Sequence, residues 1–511
     1  MKKCLRKIFA LLPVIFLLGF LFVSTNLLKA QSTAKIEILN ADELLAIERN
    51  GKKIKLLRGN ASFKHQDALM FCDSAYLYEA ENNIEAFGSI RIKQEDTMNL
   101  YGDHLFYEGN SRLARIDGKE VRLETEDFIL YTTELLHDRE LKTTIYLKGG
   151  RIEGKKDSNT LVSRKGYFYA ENKQFTFKDS VVFTNPEFEL QSDTLNYFTH
   201  TKILKFFGPT RIIGDSNFIY CENGWYNTNS DQSEYYDDSY LISGDQRLSG
   251  DTLFYDRKIA FGRSVGNVEI EDTVENIIVY GQLAKLYELK DSVVVTNKSY
   301  LVQIMDEDSL FMRADTFKVF KNAEKERQLF AYHDVKIFKT DLQAICDSMA
   351  YSFEDSTIKM HHDPVMWTEN NQMTAKQIDI HTADGVIESM FLDQDAFVIE
   401  AVDSLRYNQI KGKNMTAYFR EKEIHLIEVR GNGQTTYYGL DEEDKFIGVN
   451  VLESSDLDIE MKNKKIHLIK YLNQPSGIMH PMGELDPVED LRYEGFQWRI
   501  KERPKRSDCV Y

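Results

Sequence analysis

Apolar and polar residues alternate along most of this chain with a period of two, in short runs closed by polar turns. "LYGDHLFYEGNSRLA" at 100–114 shows the pattern, and "QSDTLNYFTHTKIL" at 191–204, "SGDTLFYDRKIAFG" at 249–262 and "MRADTFKVFKNAEK" at 312–325 repeat it. Alternation of this kind sends successive side chains to opposite faces of a β-strand. With Asp251 as origin, equivalent positions are Asp73, Asp103, Glu134, Lys165, Asp193, Glu222, Gln282, Asp315, Asp347 and Gln377, with a weaker copy at Asn414. Neighbours in the series to Gln377 lie 28 to 33 residues apart. Regular spacing near thirty residues is the mark of a stacked, repetitive architecture.

Within each copy the second and fourth residues after the origin are apolar. They are Leu105 and Tyr107, Leu195 and Tyr197, Leu253 and Tyr255, Phe317 and Val319, Met349 and Tyr351. The residue between them varies freely, so this pair marks the inward face. A second run follows, often through glycine, as in "IEAFGSIRI", "LKFFGPTRII" and "IAFGRSVGNVEI". Asp, Asn and Gly supply the turns. Beyond a short helical turn at 41–46, no helical period stands out after residue 30. The chain therefore reads as all-β from about 35 to 435, with two or three short strands per copy. A closed parallel β-helix and a β-jellyroll with an apolar interior both satisfy this pattern.

Composition supports the strand reading. Of 511 residues, 42% are hydrophobic and 12% aromatic, with 27 Tyr and 31 Phe, types favoured in strands. Only Pro186, Pro209 and Pro364 fall between 31 and 474, as befits a long hydrogen-bonded sheet. The first thirty residues have a basic start (Lys2, Lys3, Arg6, Lys7), an apolar run from Ile8 to Val23 and a small residue at Ala30. This predicts a secretory leader at 1–30 and an exported chain; an uncleaved anchor is the alternative. Cys4 precedes the apolar run, which excludes a lipoprotein cysteine there. Without this segment 59 basic face 81 acidic side chains, a net charge of −22. Nucleic acid is a poor partner for such a chain.

Cys72, Cys221 and Cys346 occupy one place in different copies. Copies four or five apart, at one rung of about 4.8 Å each, would separate them by roughly 20 Å, beyond the about 7 Å a disulfide tolerates. They read as small buried hydrophobes. Enzyme motifs such as a nucleophile elbow or a P-loop are absent. "HHD" at 361–363 is a weak metal candidate, since neighbours in a strand point to opposite faces. No cofactor is expected. The origin acid, repeated a dozen times, reads as a turn or solvent-facing residue.

The phrase D-x-L-x-Y, turn, a-x-G-x-v-x-i resembles the OstA-like repeat of lipopolysaccharide transport proteins, the LptA and LptD N-terminal type. "GNGQTTYYG" at 431–439, "IGVN" at 447–450, "SSDLDIEMKNKKIHLIKYLNQPSG" at 454–477 and "LRYEGFQWRIKERP" at 491–504 are similar to the ending of Bacteroidetes-type OstA-like proteins. The resemblance implies an elongated β-jellyroll at 31–435, as one unit or two consecutive ones. It also implies a non-enzymatic periplasmic bridge that carries lipopolysaccharide acyl chains towards the outer membrane. Partners would be other bridge components joined end to end by edge-strand pairing, powered by an upstream ABC transporter. Nothing after the repeats reads as an outer-membrane barrel. The ten inward residues named above are the expected lipid contacts. Burying a fourteen-carbon chain is worth on the order of 10 kcal/mol. A cargo-free structural or adhesive solenoid and a β-helix polysaccharide-degrading enzyme are the other classes considered. Residues 436–511 hold half of the eight prolines and Trp498, and are expected to cap the last rung or dock a partner.

Overall fold

The computed structural model describes residues 34–511 apart from 95–97, 157, 306–307, 384–385, 422, 442, 444, 463–464 and 483–490. The expected leader at 1–30 lies outside the described residues. The chain divides into two compact units, Met1–Asp179 and Ser180–Tyr511. Each is an antiparallel meander of consecutive strands joined by tight turns. Turns this short can only join antiparallel neighbours, so the parallel β-helix left open by the sequence is excluded. The fold is all-β and of the jellyroll type.

Many strands are 11 to 14 residues long and bend in the middle. In strand Phe261–Asp272, residues 261–265 pair with 252–256, and residues 269–272 pair with 246–249. Between them Gly266 and Asn267 take φ of +74° and +45°. Three residues here oppose two on the partner strand, which is a β-bulge, and it turns the strand through a corner. Asp251 sits opposite and accepts hydrogen bonds from Asn267 Nδ2 at 3.0 and 3.2 Å. The same device recurs: Ser89 Oγ donates to Asp73 at 3.1 Å, Lys119 N to Asp103 at 2.8 Å, and Asn60 Nδ2 to Asp42 at 3.0 Å. The repeated aspartate is thus a corner residue. Where glycine is missing, Asp237 and Asp238, or His333 and Asp334, take the left-handed pair, a conformation that Asn, Asp and His tolerate better than most residues.

The corner divides each strand into a leading arm, which follows the aspartate, and a trailing arm. Both arms bury their apolar faces together. In the second unit Phe317, Leu329 and Met349 of leading arms share one cluster with Leu301, Met312 and Ile337 of trailing arms. In the first unit Leu77, Ile84 and Leu105 of leading arms and Met70, Ile92 and Leu100 of trailing arms are all buried.

Several sequence expectations are corrected. Residues 43–49 form strand Glu43–Arg49 rather than a helical turn. The change of character expected at 436 falls inside strand Glu423–Leu440, and the meander runs on through strands Phe446–Lys462, Lys465–Leu472 and Ser476–Pro481. Corner acids also occur outside the counted series, at Asp42 and at Asp456, which accepts from Gly431 N at 3.0 Å. In the copies counted from Glu134, Lys165, Gln377 and Asn414 the true corner lies one residue earlier. Glu134 and His104 both pair with Asp117, so Glu134 matches His104, not Asp103. The corner residues themselves are Thr133, Arg164, Lys376 and Lys413 there, so no acid marks the corner in these copies.

Residues 491–511 continue past the strands as an extended segment with two short 3-10 turns, Ile500–Glu502 and Arg506–Asp508. They run back over the outer face of trailing arms in the second unit, held by glutamines that imitate backbone pairing. Gln372 donates to Gln497 O at 2.7 Å and accepts from Arg499 N at 2.6 Å. Gln409 donates to Leu491 O and accepts from Tyr493 N, both at 3.1 Å. Phe496 packs on Tyr407, with ring centroids 5.1 Å apart. The "HHD" residues belong to this architecture: His362 and Asp363 form a corner, and Asp363 accepts from Arg499 at 2.8 Å. Cys72, Cys221, Cys346 and Cys509 are free and buried, and burial pushes each thiol up to about 12. Each copy contributes two strands per arm, so Cys221 and Cys346, both in the second unit, stand about twice as far apart as one rung per copy implied.

Gly266→Val tests the corner. A Cβ there would lie 2.1 Å from Asp251 Oδ2, and φ is already left-handed. We expect a loss of about 2–3 kcal/mol in denaturant titrations, against about 1 kcal/mol for Gly244→Ala, where φ is positive but space is open. An unshifted midpoint in Gly266→Val would remove the corner from the account.

Candidate functional site

The ten residues expected to line the interior all sit on leading arms and divide into two depths. Leu105, Leu195, Leu253, Phe317 and Met349, next to the corner, are at most 5% exposed. Two residues further out, Tyr197, Tyr255, Val319 and Tyr351 are half-buried, whereas Tyr107 is buried. Phe317 and Met349 belong to one core cluster, with Val319 and Tyr351 packed against it. The interior is therefore deep and apolar at the corner and shallower towards the arm tips. The tips are joined across the gap by side chains. This mouth is the feature that sequence reasoning missed.

In the first unit Arg139, at a leading-arm tip, reaches trailing-arm residues about seventy positions earlier. It pairs with Asp67 and donates from Nη1 to His65 O at 3.4 Å and to Tyr107 Oη at 2.9 Å. Tyr107 Oη stands 2.7 Å from His65 Nδ1, and His65 Nε2 stands 2.9 Å from Ala34 O. A carbonyl can only accept, so Nε2 carries the hydrogen and Nδ1 accepts from Tyr107. The histidine is neutral in this chain. Beside it His137 Nε2 lies 3.1 Å from Gln94 Oε1 on the trailing arm, and its Nδ1 lies 2.9 Å from Thr144 Oγ1. Burial lowers the pKa of His65, with Arg139 and Arg112 adding to it. Burial and Arg139 push His137 down to about 4. The Arg139 side chain is only 4% exposed. Removing a partner from a charge this buried costs about 3–5 kcal/mol.

The second unit repeats the frame. Arg257 pairs with Glu187, and its guanidinium lies 5.4 Å over Phe188. Tyr226 corresponds to Tyr107, each being two paired strands from its arginine's strand. Here, however, the hydroxyl donates to Asp231 at 2.9 Å and the ring meets Phe188 edge-on at 5.2 Å. A small cleft remains between the arms, lined by Phe188, Leu190, Ile212, Tyr226, Asp231, Ser233, Tyr235 and Arg257. A further bridge, Arg327 to Asp272 at 2.9 Å, joins arm tips in the same unit. The Arg257–Glu187 pair, 34% and 59% exposed, contributes only about 0–1 kcal/mol. One signal was available in the sequence: "LLHDR" at 135–139 and "LFYDR" at 253–257 place an Asp-Arg step at the same point of two copies. The acids they meet, 72 and 70 residues away, carry no local mark.

Residues 33–193 match the family model of the OstA-like proteins. The chain carries an OstA-like region. No curated protein matches it. Among solved structures, this chain is 15% identical to LptH from Pseudomonas aeruginosa, the LptA-homologous periplasmic component of a lipopolysaccharide transport device. That alignment covers 23% of this chain and 82% of LptH, with a TM-score of 0.20. The WD40 domain of SCAP from fission yeast is 9% identical over 85% of this chain and 96% of that one, with a TM-score of 0.11. Both scores are too low for these likenesses to bear on function.

The buried histidines predict an acid-sensitive seam. Their folded pKa values lie below the unfolded value of about 6.5, so their contribution is complete above that pH and is lost as pH falls, in the case of His137 down to about 4. His137 faces Arg139 and Asp138, and His65 faces Arg139, Arg112 and Asp67. Denaturant titrations at pH 7 and pH 4.5 should show a stability drop that shrinks by about 2 kcal/mol in His65→Asn/His137→Asn. An undiminished drop would assign the acid sensitivity to carboxylates elsewhere.

Proposed function

We propose that this chain is a non-enzymatic periplasmic carrier that shelters the acyl chains of lipopolysaccharide between its two arms and passes them towards the outer membrane. One observation supports this above others: an apolar interior runs along consecutive bent strands and is closed on its mouth side by side chains, not by backbone pairing. Arms joined covalently only at the corner can part at the tips without breaking the strand ladder. Acyl chains then replace side-chain contacts of the same chemistry, and each CH₂ kept from water is worth about 0.8 kcal/mol. The OstA-like match at 33–193 supports the same reading.

Bridge assembly would use the terminal strands. At the start, strands Glu37–Asn40 and Glu43–Arg49 pair only with strand Lys52–His65 among the described residues. Leu39, Leu44 and Leu45 are exposed there. At the other end, strands Lys465–Leu472 and Ser476–Pro481 pair only with strand Phe446–Lys462 among the described residues, and expose Ile478 and Met479. Open edges of this kind accept a further strand from a partner. The tight packing of the interior equally suits a cargo-free structural repeat.

Photo-crosslinking in cells separates the two. A photoreactive residue at Leu253 or Tyr255 should give lipopolysaccharide adducts, and one at Phe254, on the opposite face, should not. Folded protein without adducts at any inward position would leave the structural repeat standing.

A further inference from the structure

The two Asp-Arg steps build the same bridge and finish it differently. Arg139 is sealed: its side chain is 4% exposed and its partners include a carboxylate, a phenol and a carbonyl. Arg257 is 34% exposed, and its carboxylate partner Glu187 is 59% exposed. Behind Arg257 lies the cleft between the arms, where Leu190, Ile212, Tyr226 and Tyr235 share the lining with the polar Asp231 and Ser233. A cation at the rim over a greasy throat is the layout that suits an anionic amphiphile.

We propose that Arg257 is an exchangeable anchor for the phosphate of an acylated lipid. The guanidinium gives up Glu187 for a phosphate, and the acyl chain enters past Phe188 between the arms. The proposal rests on the carrier reading above and deepens it by naming the group recognised and the place. Glu187 can retire into water at little cost, because most of it is already there. Arg257 stays at the rim when released, since its backbone N–H is held by Asp231 O at 3.1 Å and its guanidinium lies over the Phe188 ring. A phosphate monoester brings more charge than a carboxylate and accepts the same two-pronged pairing, so it competes well for an arginine. The acid in the lining, Asp231, accepts from the Tyr226 hydroxyl. Neighbouring Lys258 donates to Asn229 O at 2.7 Å and lies 4.0 Å from Asp231, adding a second cation beside the rim. The chain as a whole is acidic and repels an anionic lipid at a distance. A short-range cation at the mouth supplies attraction where the lipid must enter.

The test uses the full exported chain and three probes: a short-chain phosphatidic acid, the diacylglycerol with the same chains, and inorganic phosphate. Wild-type protein should bind phosphatidic acid about tenfold more tightly than diacylglycerol and bind inorganic phosphate far more weakly than either. Arg257→Gln should abolish the preference through loss of phosphatidic acid binding alone, with diacylglycerol as the internal check on folding. Arg257→Lys should retain part of the preference, and Glu187→Gln, which removes the competing acid, should widen it. An unchanged preference in Arg257→Gln overturns the proposal. So does equal weakening for both lipids, which would make the arginine structural, or inorganic phosphate binding as tightly as the lipid, which would make this a free phosphate site. A wild-type chain that binds neither lipid sinks the carrier reading itself.

Discussion

The two-residue left-handed corner is the constraint on which everything else in this fold depends. A flat strand of a dozen residues with one apolar face would need a second sheet to cover it. A strand that bends in the middle covers itself, because its two halves turn their apolar faces towards each other. The bulge costs backbone strain and leaves polar groups without ladder partners. The corner aspartates meet both demands by accepting from the amides and side chains of the left-handed pair. Repetition then follows, since a bent strand pairs best with a neighbour bent at the same place.

The same geometry makes the two sides of each unit unequal. At the corner the chain itself joins the arms, and the buried side chains nearest to it are almost wholly excluded from water. At the mouth, among the described residues, side chains join them: an arginine and an acid, a tyrosine and a histidine, a tyrosine and a phenylalanine. Such contacts are weak when half-exposed and strong only when sealed, as around Arg139. The mouth is thus the edge where the arms can separate while the hydrogen-bonded ladder stays intact. A carrier for an amphiphile needs that asymmetry, with a dry interior on one side and a polar, breakable seam on the other.

The terminal segment adds a different kind of cover. Its residues lie on the outer face of trailing arms, where Trp367 and Ile399 are buried although their strand neighbours face the interior. Glutamine side chains pair with its backbone as a neighbouring strand would, so a non-repetitive segment is held against a repetitive surface without extending the sheet.

The period-two pattern by itself determined the strands, their inward residues and the thirty-residue spacing, because burial of alternate side chains is a local demand that each strand writes into its own residues. Leu253 or Phe317 is identifiable as interior without coordinates for that reason. The corner acid was legible as a turn residue, yet its position slipped by one at Glu134, Lys165, Gln377 and Asn414, where the corner residue is Thr133, Arg164, Lys376 or Lys413 and no acid marks it. Tertiary structure decided the antiparallel pairing, the path of residues 491–511 and the bridges across the mouth. Arg257 and Glu187 are 70 residues apart, and neither looks different from any other surface charge until strands bent at matching corners bring the arm tips together. Periodicity reports which face of a strand is buried; it holds no record of which distant tip that face will meet.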